Sequence, residues 1–321
     1  MSFEADTLID RRSLRRKLSF WRVMTGLAVA LAIVALGVMA GGRSLINRQQ
    51  THVARITVDG LITGDKPLLD AIRRVRTARS AQAAIISINS PGGTTTGSEA
   101  LYHELRELAQ AKPTVAVVTG SAASGAYVAA LGADRIFAPQ TAVVGSIGVI
   151  IQYPNFVKTL EMLGVKVEAV RSSPLKAQPS GLEPTPPEAR AALEATIADS
   201  YAWFKDLVKE RRGLSAEEVA RVADGRVFTG RQSLPLKLID AIGSEREARV
   251  WLESEKKVGR SLRVVDYKRA TVDRFGLFSL AGLANALGYS DLATAISGAR
   301  QSVEIQALDG LLSVWQPPAQ N

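Results

Sequence analysis

Cysteine is absent from the 321 residues. That excludes disulfide bonds, thiolate nucleophiles, zinc ribbons and cysteine-ligated iron–sulfur clusters. Histidine is nearly absent too: His52 and His103 are the only two, too few for a histidine-rich metal site. A Ser-His-Asp arrangement would need one of them beside a serine. His103 falls about 200° round from Leu101 on a helix predicted over residues 97–112, hence on its solvent face. His52 falls in a polar stretch between two apolar regions, so a hydrolase of this sequence needs a base other than imidazole. Collagen-like and low-complexity bias are also lacking, and 46% hydrophobic residues is too many for a disordered chain. The formal charge of +9 includes no basic stripe interleaved with aromatics, so nucleic acid is not an expected partner.

One long uncharged run stands near the start, the twenty residues 23–42 between Arg22 and Arg43. At ~1.5 Å per residue, a helix of that length crosses the ~30 Å hydrocarbon core of a bilayer. Arg11, Arg12, Arg15, Arg16, Lys17 and Arg22 precede it, with Phe20 and Trp21 where interfacial aromatics sit. The positive-inside rule then keeps residues 1–22 cytoplasmic and sends the rest across as a single-pass protein. A cleaved secretory signal is the alternative, since Val38-Met39-Ala40 loosely fits a processing site, but its apolar core is usually 7–15 residues. A buried soluble helix fits the arginine cluster poorly. The expected organisation is a basic N-terminus (1–22), an anchor (23–42), a tether (43–52), a main domain (53–255) and a C-terminal extension (256–321). The extension, apolar over 275–287, is expected to contact membrane lipid or another subunit.

Beyond the tether, short apolar strand-like runs alternate with helical patterns. Strands are predicted over 53–58, 84–88, 114–118, 136–138, 147–152 and 165–170, and helices over 67–77, 97–112, 123–131 and 155–163. This alternation predicts a layered α/β fold with mainly parallel strands. Residues 171–187 carry Pro174, Pro179, Pro184, Pro186 and Pro187 and read as a long loop. Thr185 and Glu188 have capping-box spacing before a long helix with Leu193, Ile197, Tyr201, Phe204 and Val208 on one face. Ser215 and Glu218 repeat the box, and Gly225 is placed to close the helix that follows.

Two glycine-rich turns are predicted after strands. In Asn89-Ser90-Pro91-Gly92-Gly93 backbone N–H groups can face outward without side-chain obstruction. In Gly120-Ser121-Ala122-Ala123-Ser124-Gly125-Ala126-Tyr127, Ser124 sits among small residues where a helix starts, next to N–H donors able to stabilise an oxyanion. Either turn alone could be only a tight turn, with Ser124 a helix cap. The third element is Lys176, in a proline-rich loop with no adjacent acid. A desolvated lysine without a carboxylate gives up its proton readily and can serve as a base. Ser124 with Lys176 would make a Ser–Lys dyad.

Asn89-Ser90-Pro91-Gly92-Gly93, Ser124-Gly125-Ala126-Tyr127, Gly145-Ser146-Ile147-Gly148-Val149 and the Lys176 loop, in this order, resemble the signal peptide peptidase A family. Gly225-Arg226-Val227-Phe228-Thr229-Gly230 and Leu238-Ile239-Asp240 extend the resemblance to about residues 53–250. It implies a Clp-protease/crotonase-like fold and a membrane-anchored serine protease that needs no cofactor or metal. Its site would face outward from a bacterial inner membrane, its substrates would be remnant signal peptides or other apolar peptides, and it would assemble as a homo-oligomer. Residue by residue, the resemblance implies Ser124 as nucleophile, Lys176 as general base and Ser146 as the hydroxyl orienting the lysine. Gly125 and Gly93, or else Gly92, would supply the oxyanion-hole N–H groups. Ala126 and Lys237 depart from the family pattern, each standing where a glycine is usual. Two other functions compete. A crotonase-like acyl-coenzyme A hydratase or isomerase would share the fold but needs catalytic carboxylates, and the nearest acids are Glu99 and Asp134. A non-catalytic membrane scaffold is the other.

Overall fold

The structure, a computed structural model, describes residues 20–28, 50–267 and, as backbone, 311–314. Contacts divide the chain into two units, Met1–Thr51 and His52–Asn321. In the first, residues 20–28 are helical and exposed, with the Thr25 hydroxyl donating to the Trp21 carbonyl (2.8 Å). Among the described residues no helix is long and apolar enough to cross a membrane; most of the run 23–42 lies outside them.

The second unit begins with alternating elements: β1 (His52–Ile62), α1 (Lys66–Thr77), β2 (Ala81–Thr94), α2 (Thr95–Ala111), β3 (Thr114–Ala123), α3 (Gly125–Ala130) and β4 (Arg135–Ala138). β8 (Ala241–Ile242) pairs parallel with β4, and β9 (Arg263–Asp266) parallel with β1. The result is a parallel platform in the order β9-β1-β2-β3-β4-β8. Its strands are continuous apolar runs because both faces are covered. On one face Ile86, Ile88, Ala116 and Val118 pack with Leu101, Leu105 and Leu108 of α2 and with Ala126 and Tyr127 of α3. On the other, Ala83, Ile85, Val115 and Val117 pack with Ala248 and Leu252 of α8 (Glu245–Ser254). Burying each leucine contributes about 1.5–3 kcal/mol.

Four further strands gather where β2 and β3 end. β5 (Val143–Gly145) runs parallel to the end of β3, and β7 (Val227–Thr229) runs antiparallel to β5. β10 (Leu311–Val314) lies antiparallel to both the end of β2 and β6 (Ile150–Ile151). The sheet thus takes in two strands from beyond residue 255. α4 (Val157–Met162), α5 (Pro187–Arg212), α6 (Ala216–Val222) and the short α7 (Gly230–Ser233) complete the described helices. Ser215 caps α6 in a complete capping box with Glu218.

Several sequence expectations are corrected here. Pro91-Gly92-Gly93 is not a turn: β2 runs through it to Thr94, with a register shift between Ile88 and Ser90. Residues 165–170 form no strand, since Val165, Val167 and Val170 are all exposed and no neighbouring strand pairs with them. The strand expected over 147–152 shrinks to Ile150–Ile151. The Thr185–Glu188 box does not form: α5 is N-capped by Pro186, which has no side-chain acceptor. α6 ends at Val222, short of Gly225. His52 is not tether but the first residue of β1, fully buried, stacked on Tyr267 with its Nε2 3.1 Å from the phenol oxygen. His103 is exposed, as its helical position predicts.

Leu238-Ile239-Asp240 does structural work. The Leu238 carbonyl accepts from the Tyr127 hydroxyl (2.8 Å), and Asp240 accepts from the Ile136 N–H (2.7 Å) and from Arg212 (3.0 Å). Lys237 has φ 59°, which explains why a glycine suits that position. Tyr127 is completely buried, and burial pushes its phenol well above the ordinary range. Tyr127→Phe should destabilise the domain by about 1–3 kcal/mol, because the buried Leu238 carbonyl loses its donor. Chemical denaturation checks this; an unchanged midpoint would mean the bond contributes nothing.

Candidate active site

Ser124 joins β3 to α3. Its φ of 53° and ψ of −120° form a sharp elbow, a conformation costing about 1–3 kcal/mol that the surrounding packing enforces. The Ser124 N–H donates to the Gly145 carbonyl (2.7 Å), and its own carbonyl accepts from Tyr127 and Val128 (2.9 and 3.1 Å). Strand pairing and helix thus fix the residue from both sides. The residue is 1% exposed, and its Oγ lies 3.4 Å from the Gly148 carbonyl oxygen.

The two glycine motifs meet here. A Cβ on Gly125 would stand 3.2 Å from the Gly93 nitrogen and would overlap Ser98 Oγ. Gly93 of β2 and Gly125 at the start of α3 therefore lie close together, and Gly125 directly follows Ser124. Gly93 is bare for a related reason: a Cβ there would overlap the Ile62 carbonyl of β1. Gly92 differs from its neighbour, because its N–H donates to Ser90 Oγ (3.1 Å) and is engaged within its own segment. Ala126 is fully buried inside α3.

Ser146 follows Gly145 directly, so the residue whose carbonyl holds Ser124 also positions Ser146. Ser146 is buried, has φ 51°, and donates its N–H to the Arg226 carbonyl (2.8 Å). Gly145 has φ 100°, and a Cβ there would press on the Phe228 ring at 3.0 Å. The Gly145–Gly148 and Gly225–Gly230 motifs are thus one unit, joined by the β5–β7 ladder.

Lys176 stands apart. It is exposed in a loop braced by its own backbone, with Lys176 N–H donating to Ser173 (3.1 Å) and Gln178 N–H to Leu175 (3.2 Å). Its ammonium makes no hydrogen bond to Ser124 or Ser146. Glu183, the only acid between residues 169 and 187, is engaged by the Arg171 guanidinium and accepts from Gln178 (2.8 Å) and Ser180 (3.2 Å). Arg171 holds that carboxyl below its usual range, so the acid nearest in sequence is paired with arginine rather than with Lys176. The structure brings Ser124, Ser146, Gly93 and Gly125 together within one chain, whereas no side-chain hydrogen bond joins Lys176 to them.

Ser98 escaped the sequence reading. It is 1% exposed, lies against Gly125, and its hydroxyl has no hydrogen-bond partner among the described residues. Its signal was available: Ser98 precedes Leu101 and Leu105 by three and seven positions, on the apolar face of α2. Among the described residues no cluster of His, Asp or Glu is placed to hold a metal ion.

Residues 106–259 match the model of Peptidase family S49. A protein of Synechocystis sp. (slr0021), whose name carries a provisional protease assignment, is 38% identical over 201 residues, 62% of this chain and 72% of that one. The chloroplastic serine protease SPPA of Arabidopsis thaliana is 35% identical over 178 residues, covering 55% of this chain but only 26% of its own length. Among solved structures, the 1510-N membrane-bound stomatin-specific protease is a partial likeness, with 17% identity and a TM-score of 0.43 over 68% of this chain and 97% of that one. By that match and that relative, the chain belongs to peptidase family S49, alongside the signal peptide peptidase A proteins.

Proposed function

We propose that this chain is a membrane-anchored serine endopeptidase of Clp-protease/crotonase-like fold, that it works through a Ser–Lys dyad, and that it degrades remnant signal peptides. The observation that carries the reading is the side-by-side placement of Gly93 and Gly125 next to a buried, conformationally strained Ser124. Ser124 Oγ attacks the peptide carbonyl carbon while its proton passes to Lys176 Nζ. The N–H groups of Gly93 and Gly125 receive the developing oxyanion, the kind of contact whose loss typically slows catalysis ~10²–10³-fold. The C–N bond then breaks, with the lysine returning the proton to the leaving amine. Water hydrolyses the acyl-enzyme by the same route in reverse. Ser146, beside Ser124, orients the lysine. Engagement of the Gly92 amide by Ser90 favours Gly93 for the oxyanion.

Lys176 must leave water to act as a base. The segment around it exposes Phe156, Met162, Leu163, Val170, Leu175 and Leu182, more apolar surface than a solvated loop needs. This supports a homo-oligomer in which a second copy covers the loop and carries the lysine of one subunit to the serine of another. The arginine-rich start and the run 23–42 support an anchor in a bacterial inner membrane, with the peptidase domain on its outer side.

Digestion of a synthetic signal peptide tests the reading. Lys176→Ala should lose at least about 10³-fold in turnover, as for other members of a nucleophile–base unit. If the dyad is shared, mixing inactive Lys176→Ala chains with inactive Ser124→Ala chains should restore activity that neither shows alone. Full turnover in Lys176→Ala would remove lysine from the mechanism.

A further inference from the structure

The two parallel ladders of β2 both change register at Asn89. Towards β3, Ile88 pairs with Val118 and Ser90 with Ala122, so Asn89 alone stands opposite Thr119, Gly120 and Ser121. Towards β1, Asp59 pairs with Asn89 and Leu61 with Gly92, so Gly60 stands opposite Ser90 and Pro91. Bulges of this kind re-aim the chain beyond them. Beyond these lie Gly93, four residues after Asn89, and Ser124, three residues after Ser121. Backbone groups in a bulge lose their ladder partners, and here side chains replace two of them. The Thr119 hydroxyl donates to the Ile88 carbonyl (3.2 Å), and Asn89 Oδ1 accepts from the Ser121 N–H (3.2 Å). Gly120 is bare to admit that amide, since a Cβ there would stand 2.4 Å from Asn89 Oδ1. Asn89 is exposed, so its side chain is not there to fill the core. The two glycine-rich motifs thus meet twice, Asn89 with Gly120 at their first residues and Gly93 with Gly125 further on.

We propose that Asn89 is a positioning residue for peptide hydrolysis: its amide latches the bulge and so sets the offset that brings the Gly93 N–H and the Ser124 hydroxyl to one substrate carbonyl. This rests on the reading of Ser124 as nucleophile and Gly93 as oxyanion donor. With the latch gone, Ser121 and the elbow behind it can shift along β2. A misplacement of ~1 Å between reacting groups can slow a reaction ~10²-fold. The oxyanion contact tightens in the transition state, so the loss falls on kcat rather than on KM.

The test uses the full chain and a synthetic signal peptide. Asn89→Ala should lower kcat by roughly 10- to 100-fold with KM unchanged. Asn89→Asp keeps an acceptor oxygen in the same place and should recover most of that loss. Gly120→Ala pushes the amide away from the other side and should slow turnover to a similar extent, which keeps the test usable if Asn89→Ala folds poorly. Added to Asn89→Ala, it should slow turnover little further, because the same contact is already lost. Full kcat in Asn89→Ala, or a loss that Asn89→Asp does not repair, would overturn the proposal. Hydrogen exchange reads the latch without catalysis. Amides of residues 92–94 and 121–125 should exchange at least about tenfold faster in Asn89→Ala, while those of 84–88 stay as they were. A parent chain that releases no product would refute the peptidase, whereas unchanged exchange in Asn89→Ala would refute the latch alone.

Discussion

Replacing Ser124 by alanine should abolish hydrolysis of a signal peptide while leaving the domain folded. The loss should be at least about 10³-fold, since removing the nucleophile of a nucleophile–base unit costs as much as removing the whole unit. The fold should hold because the elbow is fixed by backbone, not by the hydroxyl: Ser124 N–H to Gly145 at 2.7 Å, and Tyr127 and Val128 N–H to the Ser124 carbonyl. The bond from Oγ to the Gly148 carbonyl is long at 3.4 Å. Alanine inherits the same φ of 53° that serine already tolerates, so stability should change by no more than about 1 kcal/mol. Thermal unfolding and peptide turnover measured on the same preparation check both halves. A variant that unfolds would show the hydroxyl to be structural, and one that turns over substrate would show the nucleophile to be another residue.

The second large effect is expected at Gly125. Alanine there places a methyl group on Ser98 Oγ and 3.2 Å from the Gly93 nitrogen. Overpacking of a closed core costs about 1–3 kcal/mol. Relaxation that moves α3 away from β2 also separates Gly125 from Gly93, so activity should fall further than stability does. Ser98→Gly removes both obstructing atoms, Oγ and Cβ, and in combination with Gly125→Ala should restore most of the stability. Such coupling between neighbours is what a double-mutant cycle measures. If the two substitutions prove additive, Ser98 is not what keeps position 125 bare.

The parallel platform was legible because its strands are buried on both faces and read as continuous apolar runs; β2 and β3 were found from Ala84–Ile88 and Thr114–Val118 alone. The elbow was legible through local chemistry, small residues around Ser124 between a strand and a helix. Other features escaped for particular reasons. Gly92 and Gly93 look like a turn, yet they extend β2, because Gly93 must lie flat against Ile62 of β1, a neighbour thirty-one positions away. His52 looks like tether because its partner, Tyr267, is brought in by β9 at the far end of the domain. Residues 165–170 have strand composition, but no edge is there to receive them. β10 is an ordinary apolar stretch whose meaning comes only from the gap it fills. Pairing between distant segments is common to all of these, and local periodicity does not encode it.

In the proposed mechanism Ser124 is a nucleophile made reactive by Lys176. Labelling with a serine-reactive acylating probe, followed by mass spectrometry of the digested protein, addresses it directly. The unaltered chain should carry the label on Ser124, and the Lys176→Ala chain, folded to the same extent, should carry almost none. A label on another residue, or equal labelling of Ser124 in both chains, would contradict the claim.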